Sequence, residues 1–289
     1  MSAMRPIAIL LLVAAAVSAE DPFTAALERF ERAVAKAAQP EAQATVDPAV
    51  EALVATGDVR AVKPLLSFLV TTFLLEDGLR KVDREARQRE ADATERIKTL
   101  DTEIGFLHLK EKAGDKSVGP EIRKRIEEHG RQLRVSDEAR GEKARLGRTI
   151  GFVRGVREKL ADGCARILKG LAEDQVAAGF DGARQVLDPA NREQALFLVR
   201  VLRGSGAKQA EPHLLEVFAQ PQVDDAVLRA VQYAIAPVMT RRGADVLLEV
   251  WARDPNGRGK HARHALSLAA RRNLADLEAA RAWAKSLGG

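Results

Sequence analysis

The sequence predicts an all-α fold in which a stack of short helices, an α-solenoid, is interrupted by a long antiparallel coiled-coil hairpin. The segment Pro212–Ala219 returns 33 residues later as Asp245–Ala252, with Leu-Leu-Glu-Val in register. A weaker copy of this pattern lies far upstream, at Pro64–Leu69. Between the copies, residues 76–172 form a highly charged stretch with heptad-spaced apolar residues. A repeat period in the thirties is typical of stacked helix pairs, and heptads are typical of coiled coils.

The first 19 residues have the pattern of a secretory signal peptide. Arg5 is followed by the apolar run Ile7–Val17 and by small residues that end at Ala19. This pattern predicts cleavage after Ala19 and export to the periplasm or the extracellular space. The apolar run is shorter than the roughly 20 residues that a membrane-spanning helix needs. An uncleaved anchor is the alternative, and after cleavage we expect no membrane span.

Composition favours salt-bridged helix surfaces over nucleic-acid binding. Charged residues make up 30% of the chain in nearly equal numbers of each sign, and aromatic residues only 4%. Removal of Arg5 with the signal peptide lowers the formal net charge from +5 to +4, which is mild for a chain of this length. The single cysteine, Cys164, excludes an internal disulfide, so the fold must be held by packing.

Residues 20–75 are predicted to form three helices. Asp21-Pro22 should begin the first, because Asp can cap a helix and Pro suits its first position. Its apolar face is Phe23, Leu27, Phe30 and Val34. Asp47-Pro48 should begin the second helix for the same reason. Asp58 should cap the third after the turn at Gly57.

Residues 76–172 are predicted to fold back on themselves at Gly114–Pro120. The first apolar seam consists of Leu79, Val82, Ala86, Ala93, Ile97, Leu100, Ile104 and Leu107. The second consists of Ile122, Ile126, His129, Leu133, Ala139, Leu146, Ile150, Val153, Leu160, Cys164, Ile167 and Leu171. Folding at the tip should bring Leu107 opposite Ile126 and Leu100 opposite Leu133, which an antiparallel coiled-coil hairpin requires.

Three glycines recur every four residues on the second arm, at Gly147, Gly151 and Gly155. Glycine inside a helix costs up to about 1 kcal/mol relative to alanine, so the spacing suggests a reason. We expect close packing of the two arms at this stripe. A partner helix lying in the groove is the alternative.

Residues 173–289 are predicted to resume the short helices, with Asp188-Pro189 capping one and Gly204–Gly206 turning the chain. Three helix pairs follow from residue 190 to the end. Gly57–Val62 with Pro64–Leu66 resembles the turn and second helix of the HEAT-repeat family. The resemblance covers 47–75 and 190–287. It implies an α-solenoid that binds other macromolecules and seldom catalyses.

No residue pattern predicts an enzyme, a cofactor or a metal. His261 and His264 lie one turn apart, but no third ligand is evident and the neighbouring arginines would repel a cation. His129 is expected to set the register of the hairpin seam. Cys164 lies on the seam and is expected to be buried and inert, with an intermolecular disulfide as the alternative. Motifs for phosphate loops, dinucleotides and serine nucleophiles are absent from the sequence.

The last 49 residues are basic, with ten Lys or Arg against five Asp or Glu. Seven of the basic residues recur near predicted turns and would form one edge of the stack: Arg241, Arg242, Arg258, Lys260, Arg263, Arg271 and Arg272. Such an edge could bind an acidic protein or an anionic envelope surface, and export makes nucleic acid an unlikely partner. A solvated basic surface is the alternative.

These observations together predict an exported, non-catalytic scaffold for protein–protein interaction. The stack would offer a groove to a protein partner, and the hairpin would offer reach or a surface for self-association. Two alternatives remain: a polyanion-binding module that uses the basic edge, and an enzyme or enzyme subunit with a pocket where the hairpin leaves the stack. Clustered, buried titratable groups at that junction would favour the enzyme.

Overall fold

The computed structural model describes residues 21–36 and 43–287, and all the regular secondary structure in these ranges is helical. The α-helices are α1 (Pro22–Ala35), α2 (Gln43–Ala55), α3 (Val62–Lys112), α4 (Gly119–Gly170), α5 (Glu173–Val186), α6 (Arg192–Ser205), α7 (Ala210–Ala219), α8 (Asp225–Ile235), α9 (Arg241–Arg253), α10 (Arg258–Ala269) and α11 (Leu277–Ser286). The predicted all-α fold is confirmed. The signal-peptide prediction and the cleavage after Ala19 fall on residues outside the described ranges.

Helices α3 and α4 form the predicted antiparallel hairpin. They are 51 and 52 residues long and pack against each other. The chain reverses at Gly114, whose φ of 102° lies in the left-handed region that glycine tolerates. A 3₁₀ turn at Lys116–Val118 then leads into α4. At about 1.5 Å per residue, α3 is roughly 75 Å long. It includes both the predicted third helix and the first hairpin arm, so residues 75 and 76 lie within one continuous helix.

The register of the hairpin differs from the prediction near its tip. Leu100 is fully buried, but Leu133, its predicted partner on α4, is 44% exposed, and Ile126, the predicted partner of Leu107, is 50% exposed. Ser136 and Ala139 are buried instead. Heptad steps of three and four residues back along α4 from Ala139 pass through Ser136, and they include neither Leu133 nor Ile126. Their apolar character therefore misled the prediction, because the buried Ala139 fixes which face of α4 meets α3.

The base of the hairpin belongs to the main core. Val156, Leu160, Cys164 and Leu168 of α4 are all buried in the same apolar cluster as α2 and α6. Gly163 lies so close to α2 that a Cβ there would be 2.6 Å from Val54 Cγ2. The segment predicted as hairpin thus supplies core side chains to the stack.

The C-terminal helices stack in two layers. Helices α6, α8 and α10 are neighbours in one layer, and α7, α9 and α11 are neighbours in the other. Leu214 and Leu247, which begin the repeated Leu-Leu-Glu-Val segments, occupy equivalent buried positions in α7 and α9. The repeat period therefore corresponds to one helix pair, as stacked pairs require.

Several helix starts match the sequence and two do not. The Asp21 carboxylate accepts the Phe23 N–H at 3.1 Å, and Asp224 caps α8 in the same way. Pro48 does not begin α2, which already starts at Gln43. The N–H that Pro48 lacks would have bonded the carbonyl of exposed Ala44, so water can replace it. Asn191 caps α6 in place of Asp188, because its side chain accepts two N–H groups of the first turn.

No helix between residues 21 and 36 or between 43 and 287 combines the length and apolar character that crossing a membrane requires. The two longest helices, α3 and α4, carry charged residues along most of their length.

Candidate functional site

A polar cleft lies where the hairpin leaves the stack. It has a volume of about 600 Å³ and is bounded by the base of α3 and α4 and by the start of α6. Its lining residues are Phe73, Glu76, Asp77, Arg80, Arg157, Asn191, Arg192 and Glu193. This is the junction at which the sequence analysis located the pocket of the enzyme alternative. The volume falls within the range of small-molecule sites, although such sites are usually more apolar.

A buried ion pair forms the floor of the cleft. The side chains of Glu76 on α3 and Arg157 on α4 are 6% and 5% exposed, and Arg157 Nη1 lies 2.6 Å from Glu76 Oε2. The other carboxylate oxygen accepts from Arg80 at 2.7 Å and from Arg154 at 2.8 Å. One carboxylate is therefore surrounded by three guanidinium groups. The ion pair is well coordinated on both sides, as a buried charge must be.

Arg157 ties the hairpin base together through two further contacts. Its Nε donates to Thr72 Oγ1 at 2.8 Å, and its Nη2 donates to the Thr72 carbonyl at 2.7 Å. The guanidinium stacks over the Phe73 ring, 4.1 Å from the centroid. Phe73 in turn packs edge-to-face on Phe197 of α6, with ring centroids 5.8 Å apart. The charge cluster is thus continuous with the packing between the hairpin and the stack.

Electrostatics keep Glu76 ionised. Burial acts to raise its pKa, but hydrogen bonds from Arg154 and Arg80 and the charge of Arg157 outweigh burial. The pKa of Glu76 therefore lies below its usual range. A general acid or base that works near neutral pH needs the opposite shift. Glu76 is suited to orienting arginines, and not to transferring a proton.

The rim of the cleft carries exposed charges of both signs. Asp77 and Glu193 are exposed and enter no ion pair among the described residues. Arg80 is one of the arginines that pair with the Glu76 carboxylate, and Arg192 pairs with Asp224 at 3.4 Å. This arrangement can bind a charged polar group, and its lining residues include no hydroxyl, thiol or amine side chain.

The sequence analysis missed the cleft residues although a signal was present. Arg157 lies one heptad after the seam residue Ile150, and Glu76 lies three heptads before Ile97. A charged residue of each sign on the two seams, near the open end of the hairpin, predicts a buried ion pair between the arms. Neither position belongs to a sequence motif, so motifs alone do not indicate these residues.

The predicted basic edge does not form one stripe. Helices α9 and α10 are consecutive, packed together and joined by a short turn at residues 254–257. Arg241 and Arg242 begin α9, and Arg271 and Arg272 follow the end of α10, so these four residues lie at one end of the pair. Arg258 and Lys260 lie at the other end, about 18 Å away along α10. All but Arg258 and Arg263 are exposed.

Three of the predicted edge residues have internal partners, and one of them is exposed Lys260, which pairs with Asp225 at 3.6 Å. Arg258 donates to the carbonyl of Ala219 at 3.1 Å and also binds the Gln220 carbonyl, so it satisfies the end of α7. Arg263 donates to the Leu274 carbonyl at 3.1 Å and stacks on Trp251. Both side chains are half-buried. They serve the fold and are poorly placed to bind a ligand.

The predicted close packing at Gly147, Gly151 and Gly155 is wrong. All three glycines are exposed, and a Cβ added at any of them would have no atom within 4 Å. The arms do not approach each other there, because these positions lie off the seam that Ala139 and Val153 define.

The histidines that the sequence analysis considered contact neighbouring side chains of the fold. His261 Nε2 lies 2.8 Å from Asp225 Oδ1 and Nδ1 lies 3.1 Å from Gln232 Oε1, while the ring of exposed His264 packs on Tyr233. His129 pairs with Asp101 at 3.0 Å across the hairpin.

Cys164 is fully buried, and burial raises the pKa of its thiol. Across residues 21–36 and 43–287, no group of three or more His, Cys, Asp or Glu side chains is placed to hold a metal ion. No family model, no curated protein and no solved structure matches this chain.

Proposed function

We propose that this protein is an exported, non-catalytic scaffold that binds a protein partner through the distal part of its hairpin. The α3–α4 arm reaches beyond the stack, as a binding arm must. Its base is anchored by core packing and by the Glu76–Arg157 ion pair, so the arm can hold a partner at a defined position. The resemblance of the short helices to HEAT repeats fits the same class of function.

The observation that carries the proposal is the exposed apolar surface near the hairpin tip. Phe106 is 57% exposed and Leu109 is 65% exposed on the outer side of α3. Lys110 Nζ lies over the Phe106 ring, 4.7 Å from the centroid. Single exposed apolar residues are normal, but two large neighbours at the end of an extended arm are typical of a protein-binding surface.

A matched pair of substitutions tests this proposal. Leu74 is 69% exposed and lies five heptads before Leu109 on the same helix, near the base of the arm. Leu109→Asp should abolish capture of the partner from the envelope fraction of the source cell, and Leu74→Asp should leave it intact. Equal capture by both variants and the wild type would reject the hairpin tip as the binding surface.

The junction cleft supports a second candidate function, binding or turnover of a small charged molecule. The buried Glu76–Arg157 cluster is the feature that the enzyme alternative requires. The lowered pKa of Glu76 favours binding over acid–base catalysis. Charged metabolites can be screened for a rise in melting temperature. A hit that persists in Leu109→Asp and disappears in Arg80→Ala would establish this function separately from the scaffold.

A polyanion-binding function through the basic edge has less support. The seven residues are divided between two ends of the α9–α10 pair, and three of them are engaged internally. The four at one end, Arg241, Arg242, Arg271 and Arg272, are the only part of the set that could act together.

A further inference from the structure

Two large apolar side chains on α4 face away from both the other arm and the stack. Ile126 and Leu133 are 50% and 44% exposed, and they lie one heptad apart. The contacts of α4 with α2 and α6 begin further along, at residues such as Glu158 and Lys159. This stretch of α4 is therefore covered only on its α3 side among the described residues.

Steps of four and three residues continue this face along α4. Its members are Ile126, Gly130, Leu133, Asp137, Arg140, Ala144, Gly147 and Gly151. Such steps keep side chains on one side of a coiled-coil helix. All of them are exposed except the half-buried Gly130. The face, called here the α4 outer face, is about 38 Å long at about 1.5 Å per residue.

The α4 outer face is self-complementary in size. A two-fold axis between Asp137 and Arg140 exchanges its two ends, because the steps read the same in both directions. Ile126 then faces Gly151, and Leu133 faces Ala144. Each large side chain thus meets a small residue, and a Cβ at Gly151 has no atom within 4 Å of it in its own chain.

The same axis makes the face complementary in charge. Asp137 of one copy faces Arg140 of the other, and the pair occurs twice across the axis. Within one chain these side chains are 3.6 Å apart and are 74% and 66% exposed, and Arg140 Nε also donates to Glu90 of α3 at 3.3 Å. Their exposure leaves both side chains accessible to a second copy. Isologous interfaces require this pairing of each residue with a different residue of the same patch.

We infer that the α4 outer face binds a second copy of the same chain, with the two α4 helices antiparallel about an axis between Asp137 and Arg140. The occupant is specified by the size and charge symmetry of the face, which a different partner would have no reason to match. Self-association also gives the exposed glycines Gly147 and Gly151 a role, since they admit the side chains of the other copy. This inference concerns a different surface from Leu109, so either proposal can fail alone.

Charge reversal on the full chain tests the inference. We expect the wild type to form dimers in sedimentation equilibrium. Asp137→Arg places arginines opposite each other, and Arg140→Asp places aspartates opposite each other, so each variant should dimerise at least about tenfold more weakly. An equimolar mixture of the two variants restores both opposite-charge pairs and should recover association as a heterodimer. Recovery in the mixture is not expected from any unrelated effect of the substitutions.

Cysteine cross-linking supplies a second test that does not depend on charge. Residues 126 and 151 of one chain are about 38 Å apart, so a disulfide between them must join two copies. A mixture of Ile126→Cys and Gly151→Cys proteins should give a cross-linked dimer under mild oxidation, and buried Cys164 should not interfere. Arg131→Cys, on a different face of α4, mixed with Gly151→Cys is the control.

The results that would overturn the inference are clear for both tests. A wild-type chain that stays monomeric at the highest attainable concentration has no such interface. Dimers that survive Asp137→Arg and Arg140→Asp unchanged, or that cross-link equally through residue 131, form through another surface.

Discussion

Arg157 Nη1 and Glu76 Oε2 lie 2.6 Å apart, joining the two arms of the hairpin at the point where it enters the stack. Both side chains are almost fully buried, and 80 residues separate them in sequence. A buried pair of this kind contributes little net stability compared with apolar packing, but removing one partner leaves an uncompensated charge. The pair therefore specifies the register at which α3 meets α4.

Glu76→Gln should destabilise the protein strongly. The substitution removes the carboxylate that pairs with Arg157, whose guanidinium stays buried, so we expect a loss of about 3 kcal/mol in the free energy of unfolding. Asp77→Asn, at the exposed neighbouring position, should change it by less than about 0.5 kcal/mol. Urea unfolding followed by circular dichroism measures both. Similar values for the two variants would mean that the cluster is solvated and not buried.

Acid should weaken the same cluster. The pKa of Glu76 is lowered in the folded chain, so the folded state binds its proton less readily than the unfolded state does. The stabilising contribution is therefore present above the unfolded value, near 4.5, and is lost as the pH falls through the folded value. The difference in unfolding free energy between wild type and Glu76→Gln should shrink between pH 7 and pH 3. A constant difference across this range would contradict the assigned shift.

The fold could be predicted because its signals are periodic. Heptad spacing on both arms and the repeat from Leu214 to Leu247 are long-range patterns, and each specifies an arrangement of helices. Helix starts were harder. Pro48 looked like a first-turn residue, but α2 extends past it because the exposed backbone at Ala44 can bond to water. The predicted hairpin register was wrong near the tip for a related reason. Ile126 and Leu133 are apolar, as seam residues are, but they lie outside the seam.

The candidate cleft could be predicted in position but not in composition. The sequence indicates a junction between hairpin and stack, but the contacts of Arg157 with Thr72 and Phe73 depend on the exact rotation of two long helices. The basic residues do not share one edge because, in a stack of antiparallel helices, successive turns along the sequence lie alternately at opposite ends of the helices. Residues near successive turns, such as Arg242 and Arg258, therefore lie at opposite ends.

Arg258→Ala should lower the stability of the protein, although the sequence predicts Arg258 as part of a basic binding edge. Its guanidinium donates hydrogen bonds to the Ala219 and Gln220 carbonyls at the end of α7, and alanine cannot replace them. Losing charge-assisted hydrogen bonds of this kind costs about 1–2 kcal/mol. Arg242→Ala removes an exposed arginine and serves as the control, with an expected change below about 0.5 kcal/mol. Thermal unfolding of both variants decides whether Arg258 acts on the fold.

Two glycines of α4 should respond to alanine with opposite signs. Gly155 lies in open space within the helix, so Gly155→Ala should stabilise the chain by about 0.5–1 kcal/mol through helix propensity. Gly163 meets Val54 at a distance that a Cβ cannot share, and Gly163→Ala should destabilise the chain by about 1–3 kcal/mol. Denaturant midpoints report both changes. The same sign for both substitutions would show that α2 does not pack on α4 at this point.

The thiol of Cys164 should be unreactive in the folded chain. Its sulfur is fully buried 3.9 Å from the Val62 carbonyl oxygen, and burial raises its pKa, so little thiolate forms near neutral pH. A thiol reagent such as dithionitrobenzoate should label it only after the core around α4 opens. Labelling should therefore be slow for the wild type and complete in denaturant. In Glu76→Gln it should be faster, because a less stable hairpin base populates the open state more often. Rapid stoichiometric labelling of the native wild type would place Cys164 at an accessible surface and restore the intermolecular disulfide as an explanation for this residue.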